Sequence, residues 1–276
     1  MSIDQKLQNL HDLLRSMKRV VIGYSGGVDS AFLAKAAYDV LGDGALAVTA
    51  DSESYAEGEL EYAVDLARRI GIPHEIIHTE EMNDPHYAAN PINRCYYCKS
   101  ELFIKLQDVA KCHGASYILY GANADDVGDF RPGMQAAAEI GAQAPLRDVG
   151  LTKVEIREMS RRFDLPVWDR PATACLSSRV PYGTAITPEI LSKIDRAERV
   201  LRDLGFRQVR VRHHDQIARI EILKSEIPLL FERNLTDTIV SQLREIGYIY
   251  VTLDLAGFRS GSMNEPLRLM QIDKIF

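Results

Sequence analysis

The chain has 276 residues, is 46% apolar and 26% charged, carries a formal net charge of −6 and holds four cysteines. That length gives one or two domains with ample core, and the composition is that of an ordinary globular chain. The acidic balance argues against a large nucleic-acid footprint, and no apolar run approaches the ~20 residues that span a membrane. Residues 1–19 form a polar amphipathic segment (Leu7, Leu10, Leu13, Leu14, Met17) without the apolar centre of a signal peptide. Four cysteines without a secretory signal read as cytosolic thiols, metal ligands or catalytic groups, not as disulfides, so the expected location is the cytoplasm.

In chain order, a short helix is predicted over 4–17. The apolar run 20–24 then reads as a buried parallel strand. It stops at Ser25-Gly26-Gly27, and apolar residues recur at helical spacing through Phe32, Leu33, Ala36, Ala37, Val40 and Leu41. Strand, glycine loop, helix is the order that sets an anion on a helix N-terminus. Adjacent glycines let the backbone turn tightly and let phosphate oxygens reach its N–H groups. Ser25 and Ser30 add hydroxyl donors. Asp29 would repel a bare phosphate, so its functional role is to hold Mg²⁺ on one; the plainer alternative is a strand–helix turn with Asp29 as a first-turn cap. The loop lacks the Gly-Lys-Ser/Thr of a Walker A motif and the G-x-G-x-x-G of a dinucleotide site.

Strands follow at 45–50, 74–78 and 117–121, with helices at 56–70, 95–112, 133–140 and 152–164. Such alternation gives a doubly wound parallel sheet. Asp51-Ser52, past the second strand, lies at the edge that faces the ligand crevice of such sheets. His74 and His78 read as packed or solvated imidazoles. Residues 80–94, with Pro85 and Pro91, read as a long polar loop. Residues 168–183 carry few regular signals. From Thr187, a cap before Pro188, the pattern becomes helix 188–204, strands 208–213 and 216–222, helix 226–246 and strand 248–255, a small α+β arrangement. The expected division is residues 1–183 and 184–276.

The loop delivers Cys95 and Cys98, a C-x-x-C pair, to the start of a helix, where the dipole lowers thiolate pKa. Alone the pair is ambiguous between redox, zinc, iron–sulfur and coincidence; a zinc ribbon would need a second C-x-x-C, and there is none. Cys175 sits in the irregular stretch between the two expected domains and is either a third ligand or an ordinary half-buried thiol. Cys112, late in an amphipathic helix, reads as structural. Three thiolates make an incomplete iron–sulfur set. Arg179 follows Ser177-Ser178, Arg210 and Arg212 alternate on one face of a strand, and Arg259 sits in Gly-Phe-Arg-Ser-Gly; such guanidinium forks suit phosphate or carboxylate. A solvated strand face, with Glu221 pairing one arginine, is the alternative.

Ser25-Gly-Gly-Val-Asp29-Ser30 after a buried strand resembles the pyrophosphate loop of the PP-loop ATPases, the HUP-like adenine-nucleotide α-hydrolases, which split ATP between its α and β phosphates. Further strings narrow the resemblance: Gly121-Ala-Asn-Ala-Asp125-Asp126, Asp129-Phe-Arg131-Pro-Gly133, Ala174-Cys175-Leu-Ser-Ser178-Arg179-Val-Pro-Tyr-Gly183, Val209-Arg210-Val-Arg212 and Thr252-Leu-Asp-Leu-Ala-Gly-Phe-Arg259-Ser-Gly261. Together they are similar to the LarE-type ATP-dependent sulfur transferases, the pyridinium-3,5-biscarboxylic acid mononucleotide sulfurtransferases of nickel-pincer cofactor biosynthesis. The resemblance implies an enzyme that adenylates a carboxylate of the pyridinium mononucleotide and turns it into a thiocarboxylate.

In such enzymes Ser25, Gly26, Gly27 and Ser30 would cradle the pyrophosphate of ATP and Asp29 would assist Mg²⁺. Ser178, Arg179, Arg210 and Arg212, then Arg131 and Arg259, would be candidates for the substrate phosphate. Some relatives give up the sulfur of the cysteine matching Cys175 and lack C-x-x-C; others bind a 4Fe–4S cluster through three cysteines, the type that Cys95, Cys98 and Cys175 match. The family also implies a homo-oligomer and a separate sulfur donor. The rival classes are a tRNA 2-thiolation enzyme, which calls for a basic surface, and an amide-forming PP-loop ligase such as an NAD synthetase, which does not need three thiols.

Overall fold

The computed structural model describes residues 1–126, 132–259 and 261–262. Cα packing divides the chain into two compact units, Met1–Tyr87 with Ile92–Thr173, and Ala88–Pro91 with Ala174–Phe276. The division therefore falls before Cys175, not at 183/184. The 174–183 stretch groups with the second unit because its carbonyls are held there: Asn90 Nδ2 donates to the carbonyls of Val180 and Pro181, and Arg212 to that of Ser178.

The first unit runs α1 (Ile3–Met17), β1 (Val20–Gly23), α2 (Val28–Leu41), β2 (Ala45–Asp51), α3 (Glu59–Ile70), β3 (His74–His78), α4 (Pro85–Ala88), α5 (Arg94–Cys112), β4 (Tyr117–Tyr120), α6 (Pro132–Glu139), α7 (Pro145–Asp148) and α8 (Lys153–Arg162). Its four strands are all parallel, in the order β3-β2-β1-β4. Alternate strand residues serve two cores, as the period of two requires. Val20, Ile22, Ala45 and Ala47 pack with Leu10, Leu14, Phe32, Leu66 and Ile156 of the flanking helices. Val21, Leu46, Val48 and Ala50 pack on the other face with Leu102, Phe103, Leu106, Ala136 and Ala137. A parallel sheet covered on both faces is the doubly wound α/β architecture the alternation calls for.

The second unit contains α9 (Pro188–Asp203), β5 (Val209–His214), β6 (Ile217–Ile222), α10 (Leu229–Glu232), α11 (Thr236–Glu245) and β7 (Tyr250–Leu253). The Thr187 side chain caps α9 by accepting from Ile190 N, with Pro188 at the first helical position. β5 and β6 pair antiparallel, and β7 adds parallel to β6. Leu201, Val211, Ile220, Ile222, Ile239 and Leu243 form its core.

Two expectations differ. The segment 80–94 is not bare loop: it holds a 3₁₀ turn at Glu81–Asn83 and α4, begun by Pro85, with Tyr87 buried. The single helix expected over 226–246 is broken into α10 and α11 at Asn234, whose φ is 52°. The apolar rhythm runs through the break because Leu230, Ile239 and Leu243 all face one core, so periodicity alone does not show it. Among the described residues, no helix is long and apolar enough to cross a membrane.

Candidate functional site

The loop at 25–30 joins β1 to α2 at the C-terminal edge of the parallel sheet. Gly26 takes φ +70°, and a Cβ there would meet Ala63 Cβ at 3.0 Å and Ala63 Cα at 3.1 Å, so α3 packs where only glycine fits. Gly27 is the N-cap of α2 and has no side chain to cap it, which leaves the first-turn amides to a ligand. Inside the loop Ser30 Oγ accepts from Ser25 N at 3.2 Å and donates to Gly27 O at 3.1 Å, which fixes the turn. Ser25 and Gly27 are exposed while Gly26 and Ser30 are buried. The next strand edge needs a glycine too: a Cβ on Gly121 would come within 2.9 Å of Ser30 N.

Asp29 lies on the first turn of α2. Its Oδ2 pairs with Lys153 Nζ, while Oδ1 is buried with no hydrogen-bond partner among the described residues. Burial raises the Asp29 carboxyl above its ordinary 3.8, and Lys153 works against that rise. A buried carboxylate oxygen without a donor, beside amides that suit phosphate, fits a hard divalent cation such as Mg²⁺. Lys153 begins α8 and its N–H donates to Asp125 Oδ2 at 2.8 Å, while Asp126 Oδ2 accepts from Asn123 N at 2.9 Å. The Gly121–Asp126 string thus ties the end of β4 to the start of α8 and aims a lysine at the loop. Sequence reasoning missed Lys153; the available signal was the Thr152/Glu155 capping box, which starts α8 at that residue.

Cys95 is exposed and Cys98 half-buried on the first turn of α5. That turn is braced by α6: the Tyr96 hydroxyl donates to Glu139 at 2.7 Å, and a Cβ on Gly133 would meet Lys99 Cγ at 2.8 Å. Tyr97 stacks on His86 with centroids 5.3 Å apart. Two thiols one turn apart on an open helix start suit two ligands of a metal or cluster. Among the described residues, no three His, Cys, Asp or Glu side chains stand together as a metal-binding group.

In the second unit, half-buried Cys175 immediately precedes the turn Leu176–Arg179. Arg179 is 1% exposed and forks onto fully buried Glu198, Nε to Oε1 at 2.8 Å and Nη2 to Oε2 at 3.0 Å. Burial alone would raise the Glu198 carboxyl; Arg179 holds it below its ordinary 4.5. Arg212 bonds Glu221 at 2.8 Å, Ser262 Oγ at 2.7 Å and the Ser178 carbonyl at 2.9 Å. Arg210 lies over Phe258, 5.4 Å from its centroid, and its guanidinium is pulled down to about 10 by burial and the charge of Arg179. Arg259 pairs with Asp254 and the Gly257 carbonyl. Arg131 lies outside the described residues. The arginine face of β5 is therefore buried, not solvated, and Glu221 does pair with Arg212. Glu198 was missed as well, although acidic residues at 195 and 198 interrupt the apolar stripe Leu191, Ile194, Ala197, Leu201.

A parallel α/β sheet whose first strand runs into a Ser-Gly-Gly-Val-Asp-Ser helix start defines a PP-loop nucleotide-binding fold. Residues 3–90 match the family model described as NAD synthase. The chain is 48% identical over 96% of its length, and 99% of the relative's, to an uncharacterized protein of Synechocystis. It is 38% identical to the pyridinium-3,5-bisthiocarboxylic acid mononucleotide synthase of Lactiplantibacillus plantarum, with 94% of each chain covered. The glutamine-dependent NAD(+) synthetase of Rhodobacter capsulatus is 43% identical over a shorter stretch, 29% of this chain and 14% of its own. The chain belongs to the family of the pyridinium-3,5-bisthiocarboxylic acid mononucleotide synthase.

Proposed function

We propose that this chain is a cytoplasmic ATP-dependent sulfur transferase that converts a carboxylate of pyridinium-3,5-biscarboxylic acid mononucleotide into a thiocarboxylate. The observation that carries the reading is the loop at 25–30, with first-turn amides that no side chain caps and an Asp29 oxygen unpartnered among the described residues, in a chain kin to that synthase over nearly its whole length. Carboxylate oxygen is a poor leaving group. Attack of that oxygen on the α-phosphorus of ATP, with loss of pyrophosphate, makes an acyl adenylate. A sulfur nucleophile then adds at the acyl carbon and AMP leaves with the former carboxylate oxygen.

Ser25, Gly26, Gly27 and Ser30 hold the pyrophosphate half of ATP through amides and hydroxyls. Asp29 is the residue for Mg²⁺, which when bound offsets phosphate charge. Lys153, already beside Asp29, is a second positive group at the departing pyrophosphate. Cys95, Cys98 and Cys175 are the thiols that would hold a 4Fe–4S cluster, which when bound supplies sulfide. Ser178, Arg210, Arg212, Arg131 and Arg259 are the substrate-phosphate set, with the first unit the nucleotide part and the second unit the substrate and oligomerisation part of a homo-oligomer that draws on a separate sulfur donor.

Substrate-dependent formation of AMP from ATP tests the enzyme reading; AMP release that is indifferent to the pyridinium mononucleotide rules it out. Anaerobic reconstitution of the three single Cys→Ala variants, with iron and sulfide assays, tests the ligand set, and full loading in all three rules it out. The match of residues 3–90 to NAD synthase favours one second reading, an amide-forming ligase; ammonia-dependent product that survives Cys175→Ala would establish it.

A further inference from the structure

The 174–179 turn is held by buried charges. Arg179 Nη1 donates to the carbonyl of Ala174 at 2.6 Å, to that of Cys175 at 2.8 Å and to Ser178 Oγ at 3.1 Å. Its Nε and Nη2 sit on Glu198. Glu198 Oε1 in turn accepts from Val211 N at 3.0 Å, which anchors the pair to β5. Ser178 N donates to the Cys175 carbonyl at 3.0 Å, and Arg212 Nη1 takes the Ser178 carbonyl. The carbonyls on either side of the Cys175 side chain thus end on one guanidinium. A phosphate group on Arg179 would have to displace Glu198, and that would leave a fully buried carboxylate with only Val211 N and a 3.4 Å contact to Arg202. Hydrogen bonds from a charged donor are shorter and stronger than neutral ones, so they suit a backbone that must not drift.

We propose that Arg179 is a positioning residue for Cys175: locked against Glu198, it fixes the main chain on both sides of the thiol and so sets the direction in which the sulfur points. This rests on the reading in which Cys175 takes part in sulfur transfer, but the clamp itself is measurable without turnover. The role differs from substrate recognition, since a clamp changes what the sulfur does and a phosphate ligand changes how tightly the nucleotide binds.

The test compares the full-length wild type with Arg179→Lys and with the double variant Arg179→Met/Glu198→Gln. The double variant removes both charges together, and its new amide oxygen still accepts from Val211 N. Iodoacetamide labelling of Cys175, followed by peptide mass across pH 6 to 9 (roughly the span where a thiol titrates), reads the clamp. Cys175 is expected to label roughly 10- to 100-fold faster in both variants, the change that follows when charge-assisted bonds no longer close the turn. With the pyridinium mononucleotide, KM is expected to stay within about twofold while kcat falls about tenfold or more. Unchanged labelling with a raised KM would make Arg179 a phosphate ligand and overturn the proposal. If neither variant folds, amide exchange in the wild type decides: the Ser178 and Val180 amides, which donate to the Cys175 and Ser177 carbonyls, are expected to exchange as slowly as α9, and exchange at coil rates overturns the clamp. Faster labelling in a protein whose wild type transfers no sulfur would leave the clamp standing and remove the functional reading instead.

Discussion

At the loop at 25–30 polar groups are left without protein partners: Ser25 and Gly27 are exposed, the α2 N-cap has no side-chain bond, and buried Asp29 Oδ1 has no partner among the described residues. At the 174–179 turn they face each other: Arg179, Glu198, Arg212 and Glu221 are all buried and paired. Both regions are rich in residues that suit phosphate, yet in the second the Arg179 donors are taken by Glu198, Ser178 Oγ and two carbonyls. Residue type thus names the chemistry a site can do, while the pairing of that residue decides whether it recognises a ligand or holds the chain. Four changes test this contrast, taken from the largest effect downward.

Arg179→Met alone leaves buried Glu198 with only the 3.4 Å contact to Arg202 as an ion pair and is expected to cost about 3–5 kcal/mol of unfolding free energy, read by urea denaturation. Adding Glu198→Gln should restore most of that loss. A single variant as stable as wild type would mean that the second region is not closed. At the open loop, Gly26→Ala places a Cβ on Ala63 at a positive φ. Substrate-dependent AMP formation should fall about 100-fold, the scale of an ångström-sized misplacement, with a smaller loss of stability.

Lys153→Ala should lower turnover about tenfold, a typical loss for one electrostatic contact at the weaker end. It should also move the acid limb of the pH–rate profile upward. Burial raises Asp29 and Lys153 opposes it; without the lysine the carboxyl protonates at higher pH and loses its hold on a divalent cation. A limb that stays in place would detach Asp29 from the reaction. The smallest effect is in acid stability. Because Arg179 holds Glu198 below its ordinary 4.5, the pair's contribution is present above 4.5 and is lost as pH falls through the lower folded value. Denaturation between about pH 5 and 3 should therefore be less steep in the Arg179→Met/Glu198→Gln protein than in wild type.

The open region was legible from sequence because strand, glycine pair and helix are contiguous, so local chemistry determines local geometry. Lys153 was not, since it reaches Asp29 only after β4 and α8 have folded, far along the chain. The same holds in the second unit. Alternation put Arg210 and Arg212 on one face of β5, and Glu221 opposite, but nothing local told that this face is buried. Arg179 looked like a phosphate fork because its partner, Glu198, lies on another element, 19 residues further along the chain. The break at Asn234 was hidden for a related reason, since one core draws the apolar residues of both α10 and α11.

The central claim is that a carboxylate of the pyridinium mononucleotide is adenylated here and then takes sulfur. It is tested most directly with substrate labelled with ¹⁸O in its carboxylates, turned over anaerobically with Mg²⁺ and ATP. One labelled oxygen in the AMP for each thiocarboxylate formed is the expected result. AMP without label, or label that appears in pyrophosphate, would contradict the account.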